Sequence, residues 1–291
     1  MTGTAPTPML HVDQTAKSTE RVPCAVICGV RASMATLTGT DHALNQDFLL
    51  HLPGQFSGVA DGVGGGAHGE VASRMLMQLL AEQAQTPEGH SAARLTEIDR
   101  LIQSALVALG HGPGASVFAS VSPLPATREW QAMWVGDCQI THFEKTHDGW
   151  RVAWQSQSQT YRTTHDIVPN GVDPESPSNM VGCGLNFPAG HHRFRAGHQD
   201  RIVMASDGFH KVFSVAEQLS LIAQATSPLN MDVAQTWCEL ARQRGSQDDI
   251  SVLILEMTPP RFAIQHWGGL IAVALALAGL AWFNLPGWKG F

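Results

Sequence analysis

The stretch Asp61-Gly62-Val63-Gly64-Gly65, followed closely by Gly69-Glu70-Val71-Ala72-Ser73, decides how this 291-residue sequence is interpreted. The apolar run 56–60 leads directly into Asp61. A helical period of apolar residues begins at Gly69 and predicts one core face made of Val71, Met75, Leu79 and Leu80. One Asp-Gly pair alone is ordinary turn chemistry and carries little weight. The glycines match neither the dinucleotide-binding nor the Walker pattern, which argues against a nucleotide-binding loop.

Four further apolar runs have aspartates at their ends. Asp137 and Asp207 follow two of these runs, Asp248 and Asp249 directly precede a third, and Asp47 precedes a fourth. These carboxylates converge if the corresponding strands are neighbours with suitable directions. Clustered hard oxygen ligands favour Mg²⁺ or Mn²⁺ over zinc. Because like charges raise each other's pKa, such a cluster requires a cation to stay ionised.

The composition excludes several classes of protein. Apolar residues make up 44% of the chain, which is too many for a chain disordered throughout. The formal net charge is −7, and a nucleic-acid phosphate backbone requires a basic surface, so we expect no nucleic-acid partner. Charged residues are only 15% of the chain, partly because none occurs between Phe262 and Trp288.

The periodicity predicts alternating strand and helix segments, typical of a layered α+β domain. Strands are predicted at 22–31, 45–60, 115–122, 129–145, 150–155, 200–206 and 250–257, and helices at 69–84, 95–109, 215–225 and 231–243. Residues 156–195 are polar and rich in Gly and Pro, which predicts a long surface segment.

In their order along the chain, these motifs resemble the metal-dependent protein phosphatases of the protein phosphatase 2C family, in their compact bacterial form. The resemblance runs from about Val26 to Met257. Its motifs are Asn45-Gln46-Asp47, the Asp61 and Gly69 segments, Val135-Gly136-Asp137, Ala205-Ser206-Asp207-Gly208 and Gly245-Ser246-Gln247-Asp248-Asp249-Ile250-Ser251-Val252. The resemblance implies a four-layer α-β-β-α sandwich, in which two antiparallel sheets are flanked by helices.

The resemblance also implies two Mg²⁺ or Mn²⁺ ions, a third held weakly, and hydrolysis of phosphoserine or phosphothreonine by a hydroxide that bridges the ions. Two cations about 3.5–4 Å apart lower the pKa of a bridging water and neutralise the phosphoryl oxygens. The metal ligands carried over are Asp47, Asp61, the Gly62 carbonyl, Asp137 at the third-metal position, Asp207 and Asp248. Of these, Asp61, Asp207 and Asp248 would be the catalytic set.

Some positions depart from the family pattern. His42 stands where members commonly carry an arginine that grips the substrate phosphate, and histidine lacks that always-charged fork. Val63 occupies the position of a general-acid histidine found in eukaryotic members. These departures leave open a catalytically weakened pseudophosphatase that acts as a membrane-tethered phosphoprotein-binding module. A phosphatase for a small phosphorylated metabolite is a third possibility.

The sequence divides into four segments. We predict a flexible lead at 1–21, the phosphatase-like domain at 22–258, a linker at 259–266 and a transmembrane tail anchor at 267–285. The last segment is an uncharged apolar run long enough to span a bilayer, although a buried domain helix is the alternative. These features predict a single-pass protein of the inner membrane with its catalytic domain in the cytoplasm. Its partners would be a phosphoprotein, an opposing Ser/Thr kinase and the lipid bilayer.

Overall fold

The computed structural model describes residues 10–11, 29–40, 43–63, 68–84, 91–110, 112, 114–124 and 129–258. The compact unit to which they belong ends at Thr258. Its strands are β1 (Leu10–His11), β2 (Val30–Leu37), β3 (Phe48–Leu52), β4 (Phe56–Gly62), β5 (Ser116–Leu124), β6 (Glu129–Val135), β7 (Gln139–Thr146), β8 (Gly149–Gln155), β9 (Gly190–Phe194), β10 (Arg201–Ala205) and β11 (Ile250–Met257). Its helices are α1 (Gly69–Ala84), α2 (Ala92–Ala108), α3 (Tyr161–Thr164), α4 (Asp207–His210), α5 (Val215–Gln224) and α6 (Val233–Gln243).

The described strands form two antiparallel sheets. The first has the order β1-β3-β4-β5-β6-β9, and the second has the order β2-β11-β10-β7-β8. Strand β11 therefore lies between β2 and β10, and all eight of its residues are buried. A strand buried on both faces must be apolar almost throughout, and the sequence Ile-Ser-Val-Leu-Ile-Leu-Glu-Met meets that requirement.

Side-chain alternation along the strands separates three layers of core. Leu49, Val59 and Leu253 pack in the space between the two sheets. Their neighbours point the other way, so that Phe48 packs with α1 and α2 while Ile254 packs with α5 and α6. The predicted arrangement of two antiparallel sheets flanked by helices is confirmed for the described residues.

The helix prediction for 69–84 matches α1, but the predicted apolar face is displaced. The sequence period placed Val71, Met75 and Leu79 together with Leu80 on the core face. In the structure Leu80 is buried, whereas the other three are only partly buried. The most buried stripe runs through Ala72, Leu76 and Leu80, together with Ser73, Met77 and Ala81. Small residues fill much of this stripe because α1 lies close against β4.

Several strand predictions were wrong in extent. The run predicted as one strand at 45–60 is two strands, β3 and β4, and β2 continues to Leu37, beyond the end of the strand predicted at 22–31. The run predicted as one strand at 129–145 is two strands, β6 and β7, which belong to different sheets. Gly136 separates them with a φ of +82°, a conformation that glycine adopts without strain. The segment 156–195, predicted as surface loop, contains α3 and the edge strand β9.

None of the described helices is both long enough and apolar enough to cross a membrane. The predicted tail anchor at 267–285 and the linker at 259–266 lie outside the described residues. Most of the predicted lead at 1–21 does too. Within that lead, Leu10 and His11 pair antiparallel with His51 and Leu50 of β3.

Candidate metal centre

The predicted carboxylates lie where both sheets end on the same side of the sandwich. Asp47 stands two residues before Leu49, and Asp61 stands two residues after Val59, so strand alternation points both toward the space between the sheets. In the facing sheet, the same alternation along β11 directs Asp249 inward and Asp248 outward. The end of β10 brings Ser206 and Asp207 to this same region.

Asp61 lies at the electrostatic centre of the group. Burial raises its pKa well above the ordinary value, and neighbouring negative charges raise the pKa further. Those charges are, in decreasing order, Asp47, Asp207, Asp137 and Asp248. The four other aspartates predicted as metal ligands are therefore all close enough to act on Asp61.

Asp47 is fully buried, and its carboxylate is only half satisfied. Burial, followed by the charge of Asp249, raises its pKa well above the ordinary value. The Ser206 hydroxyl donates to Oδ2 at 2.7 Å, whereas Oδ1 is buried and has no hydrogen-bond partner among the described residues. A buried carboxylate oxygen without a donor is costly unless a cation binds it.

Asp137 and Asp207 share one ammonium group. Lys211 Nζ lies 2.7 Å from Asp207 Oδ2 and 3.4 Å from Asp137 Oδ2. Burial and the charge of Asp207 raise the pKa of Asp137 to about 6, although Lys211 opposes that shift. The second oxygen of Asp207, Oδ1, is buried without a hydrogen-bond partner among the described residues.

The sequence places both Asp248 and Asp249 among the converging carboxylates but predicts only Asp248 as a metal ligand. Asp248 is exposed, and one of its oxygens accepts the backbone N–H of Asp249 at 2.8 Å. Asp249 is buried, and its two oxygens accept the backbone N–H groups of Gly39 at 2.6 Å and Gln46 at 2.7 Å. Asp249 thus fixes the loop that carries Asp47. The signal was present in the sequence, because only one of two consecutive residues can face the space between the sheets.

Gly62 lies where β4 meets the start of α1. A Cβ atom at Gly62 would lie 2.4 Å from the carbonyl carbon of Gly69, so only glycine permits this close approach. The Gly62 N–H donates to the Gln46 carbonyl at 3.1 Å, which ties Asp61 to the segment that carries Asp47. Val63 follows with its side chain packed against the core between the sheets, so it offers no proton donor. His42 and Gly64–Gly66 lie outside the described residues.

The donors in this region suit a divalent cation by their chemistry, although they do not form a closed set of ligands. No three His, Cys, Asp or Glu side chains within the described ranges stand in metal-binding geometry. Several carboxylates instead contact other groups, namely Lys211, Ser206 and backbone N–H groups. The partnerless oxygens of Asp47 and Asp207, together with the raised pKa of Asp61, show a cluster of hard oxygen donors whose negative charge Lys211 only partly balances. Such donors fit Mg²⁺ or Mn²⁺.

The sequence matches no family model and no curated protein. Solved structures, in contrast, are similar over most of the chain. The serine/threonine phosphatase PstP/Ppp of Mycobacterium tuberculosis is 19% identical with a TM-score of 0.64, covering 79% of this chain and 99% of that chain. Stp1 of Staphylococcus aureus is 16% identical with a TM-score of 0.63, covering 78% and 94%.

A further similar structure is the catalytic domain of PstP in complex with two manganese ions. It is 19% identical with a TM-score of 0.63, and the match covers 79% of this chain and 99% of that chain. At these identities the likeness establishes the fold and confirms the predicted resemblance at that level. The described domain has the fold of the bacterial metal-dependent Ser/Thr phosphatases.

Proposed function

We propose that this protein is a Mg²⁺- or Mn²⁺-dependent phosphatase that hydrolyses phosphoserine and phosphothreonine in proteins. The observation that carries the proposal is the convergence, on this fold, of four aspartates around Asp61, whose pKa is raised by burial and by all four of them. When bound, the ions supply an activated water and neutralise the phosphoryl oxygens.

We assign the roles of the residues from the family resemblance. Asp61, Asp207 and Asp248 would hold the two principal ions, with Asp47 and the Gly62 carbonyl completing the set. Ser206 orients Asp47 by donating to Oδ2, which leaves Oδ1 for a cation. His42 would contact the substrate phosphate. Since no arginine fork is supplied at that position, we expect weaker phosphate binding than an arginine would give.

The test is metal-dependent turnover by the purified full-length chain in detergent. With Mn²⁺ it should hydrolyse p-nitrophenyl phosphate and a phosphothreonine peptide, and EDTA should abolish both activities. Asp61→Asn should remove activity, while the matched exposed variant Asp148→Asn should retain it. A folded protein that is inert with Mn²⁺ would contradict the proposal. Faster turnover of sugar phosphates than of phosphopeptides would instead indicate a metabolite phosphatase.

A second candidate function is a pseudophosphatase that binds phosphoproteins without hydrolysing them. The specific observation in its favour is Lys211, whose ammonium group already contacts two of the predicted metal ligands. Calorimetric titration separates the two functions. Absence of heat on adding millimolar Mn²⁺, with retained phosphopeptide binding, would support the pseudophosphatase, whereas Mn²⁺ binding with turnover would exclude it.

We also propose that the apolar stretch 267–285 anchors the domain to the inner membrane, with the phosphatase facing the cytoplasm and opposing a Ser/Thr kinase. The support is its length and lack of charge, together with tryptophans at 267, 282 and 288 near its ends. Full-length protein should remain in the membrane fraction after alkaline carbonate washing. A chain lacking 267–285 should be released, and recovery of the full-length chain without detergent would contradict the anchor.

A further inference from the structure

Lys211 is held in a fixed position beside the candidate metal centre. It follows the short helix α4, and its backbone N–H donates to the Asp207 carbonyl at 3.0 Å. This places its side chain four residues after Asp207, on the same side of the turn. Its ammonium group contacts one oxygen each from Asp137 and Asp207.

An ammonium group and a metal ion cannot occupy the same space between these two oxygens. A divalent ion that bridged them would need both oxygens at roughly 2.0–2.2 Å, whereas an ammonium nitrogen makes contacts of about 2.8 Å. The observed separations of 2.7 and 3.4 Å are those of an ion pair. Asp137 is also the residue that the family resemblance assigns to a third metal ion.

The charge balance points the same way. The five predicted aspartate ligands and the buried Asp249 carry six negative charges, and two divalent ions with Lys211 supply five positive charges. A third divalent ion beside Lys211 would turn the net charge of the centre positive, and the ammonium group would repel that ion.

We propose that the ammonium group of Lys211 takes the place of a third metal ion, so that this centre binds two divalent ions and not three. The inference rests on the proposed function, because it presupposes that the other carboxylates hold metal. It assigns to Lys211 the permanent positive charge that a weakly bound, exchangeable ion would otherwise provide.

The test counts bound metal ions. Full-length protein in detergent is stripped with EDTA and titrated with Mn²⁺, and the number of ions bound is measured by native mass spectrometry and calorimetry. We expect two ions in the wild-type chain and three in Lys211→Asp, which removes the ammonium group and adds a carboxylate on the same side of the turn as Asp207. Lys145→Asp is the control and makes the same charge change. It lies near the end of β7 that is farther from the metal centre, about 20 Å along the strand from the nearer end, and should leave the count at two.

A second variant covers the case in which Lys211→Asp fails to fold. Lys211→Met keeps most of the side-chain length and removes the charge, so Asp137 and Asp207 would repel each other in the metal-free protein. We expect a lower metal-free Tm and a larger Mn²⁺-induced rise in Tm than in the wild type.

Different failures have different meanings. Three Mn²⁺ ions in the wild type, or an unchanged count of two in folded Lys211→Asp, would overturn the role of Lys211 and leave the proposed phosphatase intact. A Lys211→Met protein with an unaltered Mn²⁺-induced rise in Tm would overturn it as well. Absence of any Mn²⁺ binding by the wild type would instead overturn the proposed function, and this inference with it.

Discussion

The ionised carboxylate of Asp61 destabilises the metal-free fold, yet the same carboxylate is the central candidate ligand for metal. Its pKa is raised because the fold removes the carboxylate from water and surrounds it with other carboxylates. Without a cation, the ionised form is therefore destabilised in the folded protein at neutral pH. A carboxyl group whose folded pKa is raised contributes stability at low pH, and that contribution is lost as the pH rises.

We predict that Asp61→Asn stabilises the metal-free protein and abolishes its response to metal. Removal of the charge should raise the metal-free Tm at pH 7.5 by about 2–4 °C, which corresponds to roughly 1 kcal/mol in a domain of this size. The Mn²⁺-induced rise in Tm should largely disappear, because the central ligand is missing. Thermal unfolding in EDTA and in Mn²⁺ measures both effects. A lower metal-free Tm in Asp61→Asn than in the wild type would contradict the argument.

His51 should make the protein sensitive to acid through a different mechanism. It is buried in β3, its Nδ1 lies 2.8 Å from the Ser57 hydroxyl, and burial lowers its pKa from 6.5 to about 4. The unfolded chain therefore takes up a proton near pH 6.5, whereas the folded protein does so only near pH 4. Stability from neutral His51 is complete above pH 6.5 and falls as the pH drops toward 4, by roughly 3 kcal/mol.

We therefore predict that His51→Asn flattens the pH dependence of unfolding between pH 6.5 and 4, because asparagine can still bond Ser57 but does not titrate. Urea unfolding at several pH values, compared between variant and wild type, isolates this contribution from that of the aspartates. The exposed His147→Asn serves as the control and should follow the wild-type curve. An identical slope in His51→Asn and wild type would count against the mechanism.

At the scale of elements, Asp249 links the start of β11 to the segment between β2 and β3. Its two oxygens hold backbone N–H groups on either side of that segment, which ends at Asp47. Each hydrogen bond from a backbone N–H to a buried carboxylate stabilises a fold by roughly 1.5–3 kcal/mol. The contact between Asp249 and this segment therefore positions Asp47, a candidate ligand far from Asp249 in the sequence.

Asp249→Ala should lower the free energy of unfolding by about 3 kcal/mol and weaken Mn²⁺ binding at least tenfold, since Asp47 loses its support. Asp249→Asn retains one acceptor oxygen and should show a smaller loss of both. Chemical denaturation and calorimetry measure the two quantities. Full Mn²⁺ affinity in a folded Asp249→Ala protein would show that Asp249 does not position Asp47.

The elements also show which features of the fold could be predicted from the sequence. Long, periodic segments such as 69–84 were found correctly because helical spacing is a local signal. The break at Gly136 was missed because the residues on both sides are equally strand-like, and only the packing of two sheets sends them apart. Strand β9 was missed because its sequence, Gly-His-His-Arg-Phe, is polar, and an edge position tolerates that.

The site was predictable as a set of aspartates but not as an arrangement. Alternation along a strand brings Asp47 and Asp61 to one face, and this can be inferred from spacing. The roles of Asp249 and Lys211 depend on contacts between segments far apart in the chain, and spacing alone does not reveal them. Asp249 accepts backbone N–H groups from a distant loop, and Lys211 contacts a carboxylate from a different strand end.

At the scale of the molecule, the end of the sandwich opposite the aspartates contains a buried carboxylate, Glu256, that pairs with Arg201 and also with Arg31. Arg201 is fully buried and donates to Glu256 from Nε at 3.1 Å and from Nη2 at 2.7 Å. Its remaining N–H groups bond carbonyls at the end of α5, including that of Ile222 at 3.0 Å. The pair thus joins β10 and β11 to the outer helical layer.

Arg201→Met should destabilise the whole domain by about 3–5 kcal/mol, because it leaves Glu256 buried without its main partner. Metal binding by the remaining folded protein should be unchanged, since Asp207 lies about 20 Å away along β10. Denaturant unfolding and Mn²⁺ calorimetry test the two statements. The exposed variant Arg195→Met provides the control and should change stability by less than about 0.5 kcal/mol. Reduced Mn²⁺ affinity in folded Arg201→Met would contradict the separation of the two ends.

The position of β11 has a consequence for how the protein is made. This strand is central in its sheet, yet it lies at residues 250–257, after all the strands that it must join. During synthesis β2 and β10 emerge from the ribosome long before their common partner, with unpaired edges exposed to other chains. The second sheet can close only once residue 257 has been released. We therefore expect the newborn chain to depend on chaperones until then, and translation that stops before residue 250 to yield an aggregating product rather than a smaller folded domain.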